Sequence, residues 1–223
     1  MNSLIKYISE NYSNIIFLTW EHILIVLIAL FFAIMIGVPI GIFITKYENL
    51  AKKVINIANI FMTIPSIALF GIMLPLLSPF NLGLGKVPAV IALVLYSQLP
   101  IIRNTYVAIK NVNPAIVDAA KGTGLSRWRL LKEIEAPLAI PVIIAGVRTA
   151  SVMSIGITAI AAYIGAGGLG VLIDQGISRY YTEMVVTGAI MVSILAIFVD
   201  GFMAALERIS TPKGVILGRK LGK

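Results

Sequence analysis

The stretch "LAIPVIIAGVRTASVMSIGITAIAAYIGAGGLG", residues 138–170, ends in a cluster in which Gly165, Gly167 and Gly170 fall on the G-x-G-x-x-G spacing of a dinucleotide-binding turn, with Gly168 between them. Such a turn follows a short strand and opens a helix whose N-terminus meets the pyrophosphate. Here an apolar run of about 27 residues precedes Gly165, far longer than a strand of roughly four to eight. A helix of about 20 apolar residues is what crosses a hydrocarbon core of roughly 30 Å. The stretch therefore reads as a membrane-spanning helix that ends in a turn. Glu183 sits where an acidic ribose ligand would be sought, but no βαβ unit surrounds it.

The rest of the chain agrees. Of 223 residues, 59% are hydrophobic and 13% charged, against roughly 25% charged in an ordinary soluble domain. Four further apolar runs qualify as spans: about His22 to Thr45, Val54 to Leu77, Gly85 to Ile102 (continuing towards Lys110) and Met184 to Leu206, with Leu138 to Ile164 lying between the third and the last. They lack the period-two alternation of an outer-membrane barrel. The fold class is an all-α membrane protein of about five transmembrane helices. With no cysteine and one histidine, thiolate and conventional imidazole metal sites are excluded, and no metal is expected. The net charge of +8 does not point to nucleic acid, because the basic residues sit between apolar runs rather than along one soluble face.

Those basic residues orient the chain. Lys46, Lys52 and Lys53 follow span one; Arg103, Lys110, Lys121, Arg127, Arg129 and Lys132 follow span three; Arg208, Lys213, Arg219, Lys220 and Lys223 follow span five. Fourteen of eighteen thus share one side, Lys6, Lys86 and Arg179 fall on the other, and Arg148 lies within a span. By the positive-inside rule the N-terminus is outside and the C-terminus cytoplasmic. Residues 1–18 form a polar extracytoplasmic segment with no expected cleaved signal, 19–210 the transmembrane domain, and 211–223 a basic cytoplasmic tail. The glycine cluster then lies at the outer face, away from cytoplasmic nucleotides.

The longest cytoplasmic connection is 113–137. Asn113 is a good N-cap and Pro114 suits the first helical position, so "PAIVDAAKG" reads as a short helix that Gly122 and Gly124 terminate. Ser126 caps a second, "RWRLLKEIEA", which Pro137 is expected to close. Two readings of this hairpin stay open on physical grounds: an amphipathic element resting on anionic lipid, or a docking element for a cytoplasmic partner. "DAAKGTGLSRWRLLKEIEAP" resembles the EAA loop of ABC importer permeases, with Asp118, Ala119, Ala120, Gly124, Ile134 and Pro137 at matching spacing, Asp118 replacing Glu and Ala136 replacing Leu. "TIPSIALFGIMLPLL" and "IGAGGLG" are similar to the quaternary-amine and osmoprotectant branch, whose members carry glycine betaine, carnitine or choline; methionine permeases share a similar plan.

The resemblance implies a type I importer permease in the bacterial cytoplasmic membrane. It would pair with a second permease subunit, identical or sister, dock on cytoplasmic ATP-binding subunits and receive solute from an extracytoplasmic binding protein. It implies no cofactor on this chain, with ATP and magnesium used by the partner ATPase; the sequence contains no G-x-x-x-x-G-K-[ST] phosphate loop. The coupling helix is assigned to Asp118, Ala119, Ala120, Lys121, Gly122 and Gly124, with Ile134 and Pro137 completing the motif. Another small solute such as an amino acid is the alternative cargo. A channel or secondary carrier is the alternative of a different class.

Polar and proline residues inside the spans mark pathway or gate candidates: Asn59, Thr63, Pro65 and Ser66 in span two; Tyr96, Ser97 and Gln98 in span three; and Gly165, Gly167, Gly168 and Gly170 after span four. Tyr96 could offer a π face to a trimethylammonium group. Arg148 and Asp200 both lie towards the cytoplasmic half, where unpaired charge is expensive, and are expected to pair. Glu21 and His22 open span one, and His22 reads as an interfacial residue. Tyr180 and Tyr181 read as an outer aromatic belt.

Overall fold

A computed structural model describes residues 2–211; the basic tail predicted at 211–223 lies outside the described residues from 212 onward. Nine α-helices form the described chain: α1 (Asn2–Ile44), α2 (Glu48–Thr63), α3 (Ser66–Leu77), α4 (Lys86–Lys110), α5 (Pro114–Gly122), α6 (Arg127–Arg129), α7 (Ala136–Ala161), α8 (Gly170–Ser178) and α9 (Thr182–Ser210). Four continuous helical stretches are long and apolar enough to cross a membrane, or five spans when the bent pair α2 and α3 is counted as one. Phe31, Phe32, Ile197, Phe198 and Ile209 stand exposed, an outward apolar surface suited to lipid or to a partner subunit rather than to water.

α4 is the hub. Tyr96 through Ile102 are buried without a break, because α1 and α7 flank α4 and α2 crosses its cytoplasmic end. Small residues permit the closeness: a Cβ on Gly41 of α1 would stand 2.6 Å from Thr105 Cβ, and one on Gly146 of α7 would stand 2.7 Å from the Pro100 carbonyl oxygen. Without a hydrophobic drive between helices in lipid, such backbone approach supplies the packing.

Three expectations change. Span two is not one bowed helix: α2 and α3 meet at 98° across Ile64–Pro65. Proline removes its own N–H and pushes the preceding residue out of the helical region, and Ile64 accordingly takes ψ 127. Pro137 does not close the second cytoplasmic helix. Residues Leu130–Glu135 form a π-helix that runs directly into α7, and this wider turn relieves the clash between a proline ring and the carbonyl four residues earlier. α1, finally, has 43 residues, or about 65 Å at 1.5 Å per residue, twice the hydrocarbon thickness. The segment set apart at 1–18 is helical from Asn2 because Tyr7, Ile15 and Leu18 pack with Leu169, Leu172, Met184 and Leu195 of the α8–α9 region.

Candidate functional site

At the cytoplasmic end the Asn113 side chain accepts the Ala115 N–H at 2.9 Å and so starts α5. Gly124 ends the turn at φ 79 with nothing within 4 Å of where a Cβ would be. Asp118, Ala119, Lys121 and Gly122 are exposed along α5, and Lys121 Nζ lies 3.0 Å from Asp118 Oδ1. Ala120, in contrast, is buried within the subunit, so close approach from outside is left to Ala119. Ile134 is half-buried and Pro137 exposed. Between this segment and the ends of α1 and α4 opens a groove of about 1190 Å³, with Ile42, Phe43, Ile109 and Trp128 among its apolar walls and Lys46, Lys110 and Lys132 among its charges.

In the broken span, Asn59, Thr63 and Pro65 are exposed and Ser66 half-buried. Sequence reasoning missed their companions. Lys52 and Asn56 are also exposed, and the positions 52, 56, 59 and 63 recur at helical spacing, so they form one polar stripe along α2 that faces away from the subunit. The signal was present as an i, i+4, i+7, i+11 pattern.

Tyr96, Ser97 and Gln98 do not line an open path. The Tyr96 ring packs in a cluster with Leu69, Phe70 and Met73, and its hydroxyl donates to the Ile64 carbonyl at 2.6 Å. It satisfies an acceptor freed by the Pro65 break, which corrects the expectation of an available π face. Ser97 and Ser154 hydroxyls lie 3.2 Å apart between α4 and α7, and the Gln98 amide donates to Val94 at 3.1 Å and to Ala33 at 3.4 Å. These groups knit helices together.

Arg148 holds Asp200 in a fork, Nε to Oδ1 and Nη2 to Oδ2 both at 2.6 Å, and reaches Glu207 Oε2 at 3.4 Å. The bidentate geometry suits a guanidinium–carboxylate pair and ties α7 to α9. Glu207 is a member that residue types alone did not single out.

The glycine cluster connects α7 to α8 by way of a short 3-10 turn, Ala162–Ile164. Gly165, Gly167 and Gly168 take φ 77, 88 and 76, the left-handed region that side chains resist. A Cβ on Gly167 would collide with the Glu21 carboxylate. Gly170 opens α8 against the backbone of Ala159. The Gly168 N–H donates to Glu21 Oε2 at 2.8 Å, and the next one along, Leu169 N–H, donates to His22 Nδ1 at 3.2 Å. Lys86 Nζ lies 2.7 Å from Glu21 Oε1. His22 is fully buried and its Nε2 lies 3.1 Å from the Ile155 carbonyl. Since Nδ1 accepts, Nε2 carries the proton and donates, so both ring nitrogens are used; this corrects the interfacial reading of His22. Tyr180 and Tyr181 are both exposed, and Tyr181 also packs edge-on against Tyr7 with ring centroids 5.2 Å apart.

Residues 37–209 match the family described as "Binding-protein-dependent transport system inner membrane component". The chain is 46% identical to the osmoprotectant import permease protein OsmW of Salmonella typhimurium, covering 95% of this chain and 98% of that one. It is 42% identical to the glycine betaine/carnitine/choline transport system permease protein OpuCB of Bacillus subtilis, over 96% and 97%. Among solved structures, an inward-facing MetNI methionine ABC transporter superposes with a TM-score of 0.78 at 23% identity, covering 86% of this chain and 94% of that chain. That superposition establishes the fold. With the family match running from the last two turns of α1 to the end of α9, the chain belongs to the binding-protein-dependent transport system inner membrane components, the multi-pass permease subunits of ABC importers.

Proposed function

We propose that this permease forms the membrane pathway for a quaternary-amine osmoprotectant such as glycine betaine, carnitine or choline, driven by separate ATP-binding subunits that dock on α5. The observation that carries the solute class is near-complete coverage, at 46% and 42% identity, by permeases named for osmoprotectant and for glycine betaine, carnitine and choline transport. The docking assignment rests on α5, whose capped N-terminus, exposed Asp118 and Ala119 and left-handed Gly124 present a short rigid helix at the cytoplasmic end. A rigid helix can transmit a push. Nucleotide and magnesium belong, in this reading, to the ATPase chains, and a binding protein presents the solute outside. A second permease subunit faces this one.

The pathway is assigned to the stripe Lys52, Asn56, Asn59 and Thr63, continued by Pro65 and Ser66. Polar groups at membrane depth must face protein or water rather than lipid, and these face away from their own subunit. Movement of α5 would then reach the outer end of the molecule by way of α7, shifting the pathway between inward-open and outward-open states.

The test is reconstitution in proteoliposomes with an ATP-binding subunit and an extracytoplasmic binding protein that co-purify with it. Uptake of labelled glycine betaine, carnitine or choline that requires ATP inside is the expected result. Uptake of amino acids but none of these amines overturns the solute assignment, and amine uptake without the ATPase overturns the coupling.

A further inference from the structure

We infer that Glu21 and His22 are positioning residues for translocation: their side chains clasp the glycine loop and thereby hold the outer end of α7 against α1. The inference rests on the importer reading but not on which solute is carried.

The loop's bonds to the end of α7 reach only its first two residues: the Gly165 N–H donates to the Ala162 carbonyl at 2.9 Å and the Ala166 N–H to the Ala161 carbonyl at 3.2 Å. Between Gly165 and Gly168 the sole side chain is the methyl of Ala166, so its place depends on what receives its backbone donors. Two consecutive donors, the Gly168 and Leu169 N–H groups, are received by two consecutive residues of α1, Glu21 and His22. Glycine is required on the loop side, since a Cβ at Gly167 would displace the carboxylate and one at Gly168 would press on His22 Nδ1 at 3.0 Å. The spacing that a nucleotide-binding turn uses to bring backbone close to a phosphate here brings it close to the chain's own carboxylate.

Two further ties make this a junction of three segments. Lys86, at the start of α4, closes the second oxygen of Glu21. The Gly85 N–H donates to the Ile164 carbonyl at 2.7 Å, at the head of the loop. His22 also grips α7 through the Ile155 carbonyl. The 60% exposed Lys86 side chain covers the 16% exposed Glu21 side chain, so the closing group can leave towards water while the carboxylate stays with the loop.

What gives the clasp consequence is the rod beneath it. The helical path Arg127–Ile164 is unbroken over 38 residues, and it joins the cytoplasmic segment after α5 to the glycine loop. A rod conveys a cytoplasmic push into a change at the mouth only if its far end has a fixed reference. Glu21 and His22 supply that reference on α1.

The experiment compares Glu21→Leu, Glu21→Gln and Lys86→Met in the reconstituted transporter, reading solute moved per ATP hydrolysed. Glu21→Leu leaves a Gly168 N–H with no acceptor, and coupling is expected to fall about tenfold. Glu21→Gln keeps an acceptor for Gly168 and is expected to remain within about threefold of the parent, as is Lys86→Met. Full coupling in Glu21→Leu overturns the inference, and so does equal loss in Leu and Gln. A second reading needs no transport. The chain has no cysteine, so Ala166→Cys, at a fully buried position, places a single reporter thiol under the clasp. A membrane-impermeant thiol reagent added outside should label it at least about fivefold faster when Glu21 is Leu; equal rates overturn the clasp whatever the solute proves to be.

Discussion

At Gly124 the backbone stands at φ 79 in open space, so the glycine serves conformation and nothing else. A Cβ at Gly124 meets nothing within 4 Å, but Gly124→Val costs about 1–2 kcal/mol of backbone strain at that turn, which tilts α5 against its docking partner. The subunit should still fold and enter the membrane, while association with the ATPase and stimulated hydrolysis drop together; unchanged stimulation would mean that the turn is not read. Arg148 gives a sharper case, because its partners are unequal. Arg148→Asp sets three carboxylates together and Asp200→Arg sets two guanidiniums together, so each alone should lower the yield of folded protein in a mild detergent. The double reversal restores the Asp200 pair but leaves a new carboxylate near Glu207, so recovery should be partial, and Glu207→Gln added to it should complete the recovery. Indistinguishable yields for all variants would reduce the fork to a surface contact. The pairing of Arg148 with Asp200 was legible, since intramembrane charges of opposite sign seek each other. The seat of Glu21 was not. Its partner is a backbone N–H at a separation of 147 residues, and a backbone donor leaves no trace in the order of side chains.

Among the elements, the α2–α3 break shows how far a proline signal reaches. Pro65 announces an interruption, yet nothing local distinguishes a gentle kink from a 98° turn; the angle depends on where the freed carbonyl finds a donor. Here the donor is the Tyr96 hydroxyl, 32 residues away on α4. Tyr96→Phe keeps the ring in its cluster and orphans the Ile64 carbonyl, which should cost about 1 kcal/mol of stability. Thermal unfolding in detergent should register that loss, and a restored Tm in a variant that also carries Pro65→Ala would show that the hydroxyl serves the break. An unchanged Tm in Tyr96→Phe would leave the break to Pro65 alone. The cytoplasmic hairpin was read correctly to its caps, Asn113 and Ser126, because a cap is local chemistry. Its exit was misread, because a π-helix carries no simple residue signature and lets Pro137 sit inside a continuing helix. For α1 the reverse held: polar residues before His22 obscured a helix whose apolar face becomes visible only when α8 and α9 are there to cover it.

For the whole molecule, the telling feature is an exposed surface of two kinds. Most of it is apolar and belongs against lipid, but Lys52, Asn56, Asn59 and Thr63 form a polar line on a helix that crosses the same layer. In a single subunit this line has nothing to face, and a chain that left it in hydrocarbon would lose several kcal/mol for each unsatisfied group. The transporter must therefore put water or another subunit there, and single cysteines can tell which residues meet water, since the parent chain contains none. In the assembled importer, Asn59→Cys and Thr63→Cys should react with a small hydrophilic thiol reagent. Ile57→Cys, about 160° and 120° away from those positions on the same helix at 100° per residue and equally open in the isolated subunit at 56% exposure, should resist it. Bound solute should slow labelling of the first two and leave the third unchanged. If Ile57→Cys labels and the polar positions do not, the stripe lies against protein and the pathway runs along another face of the bundle.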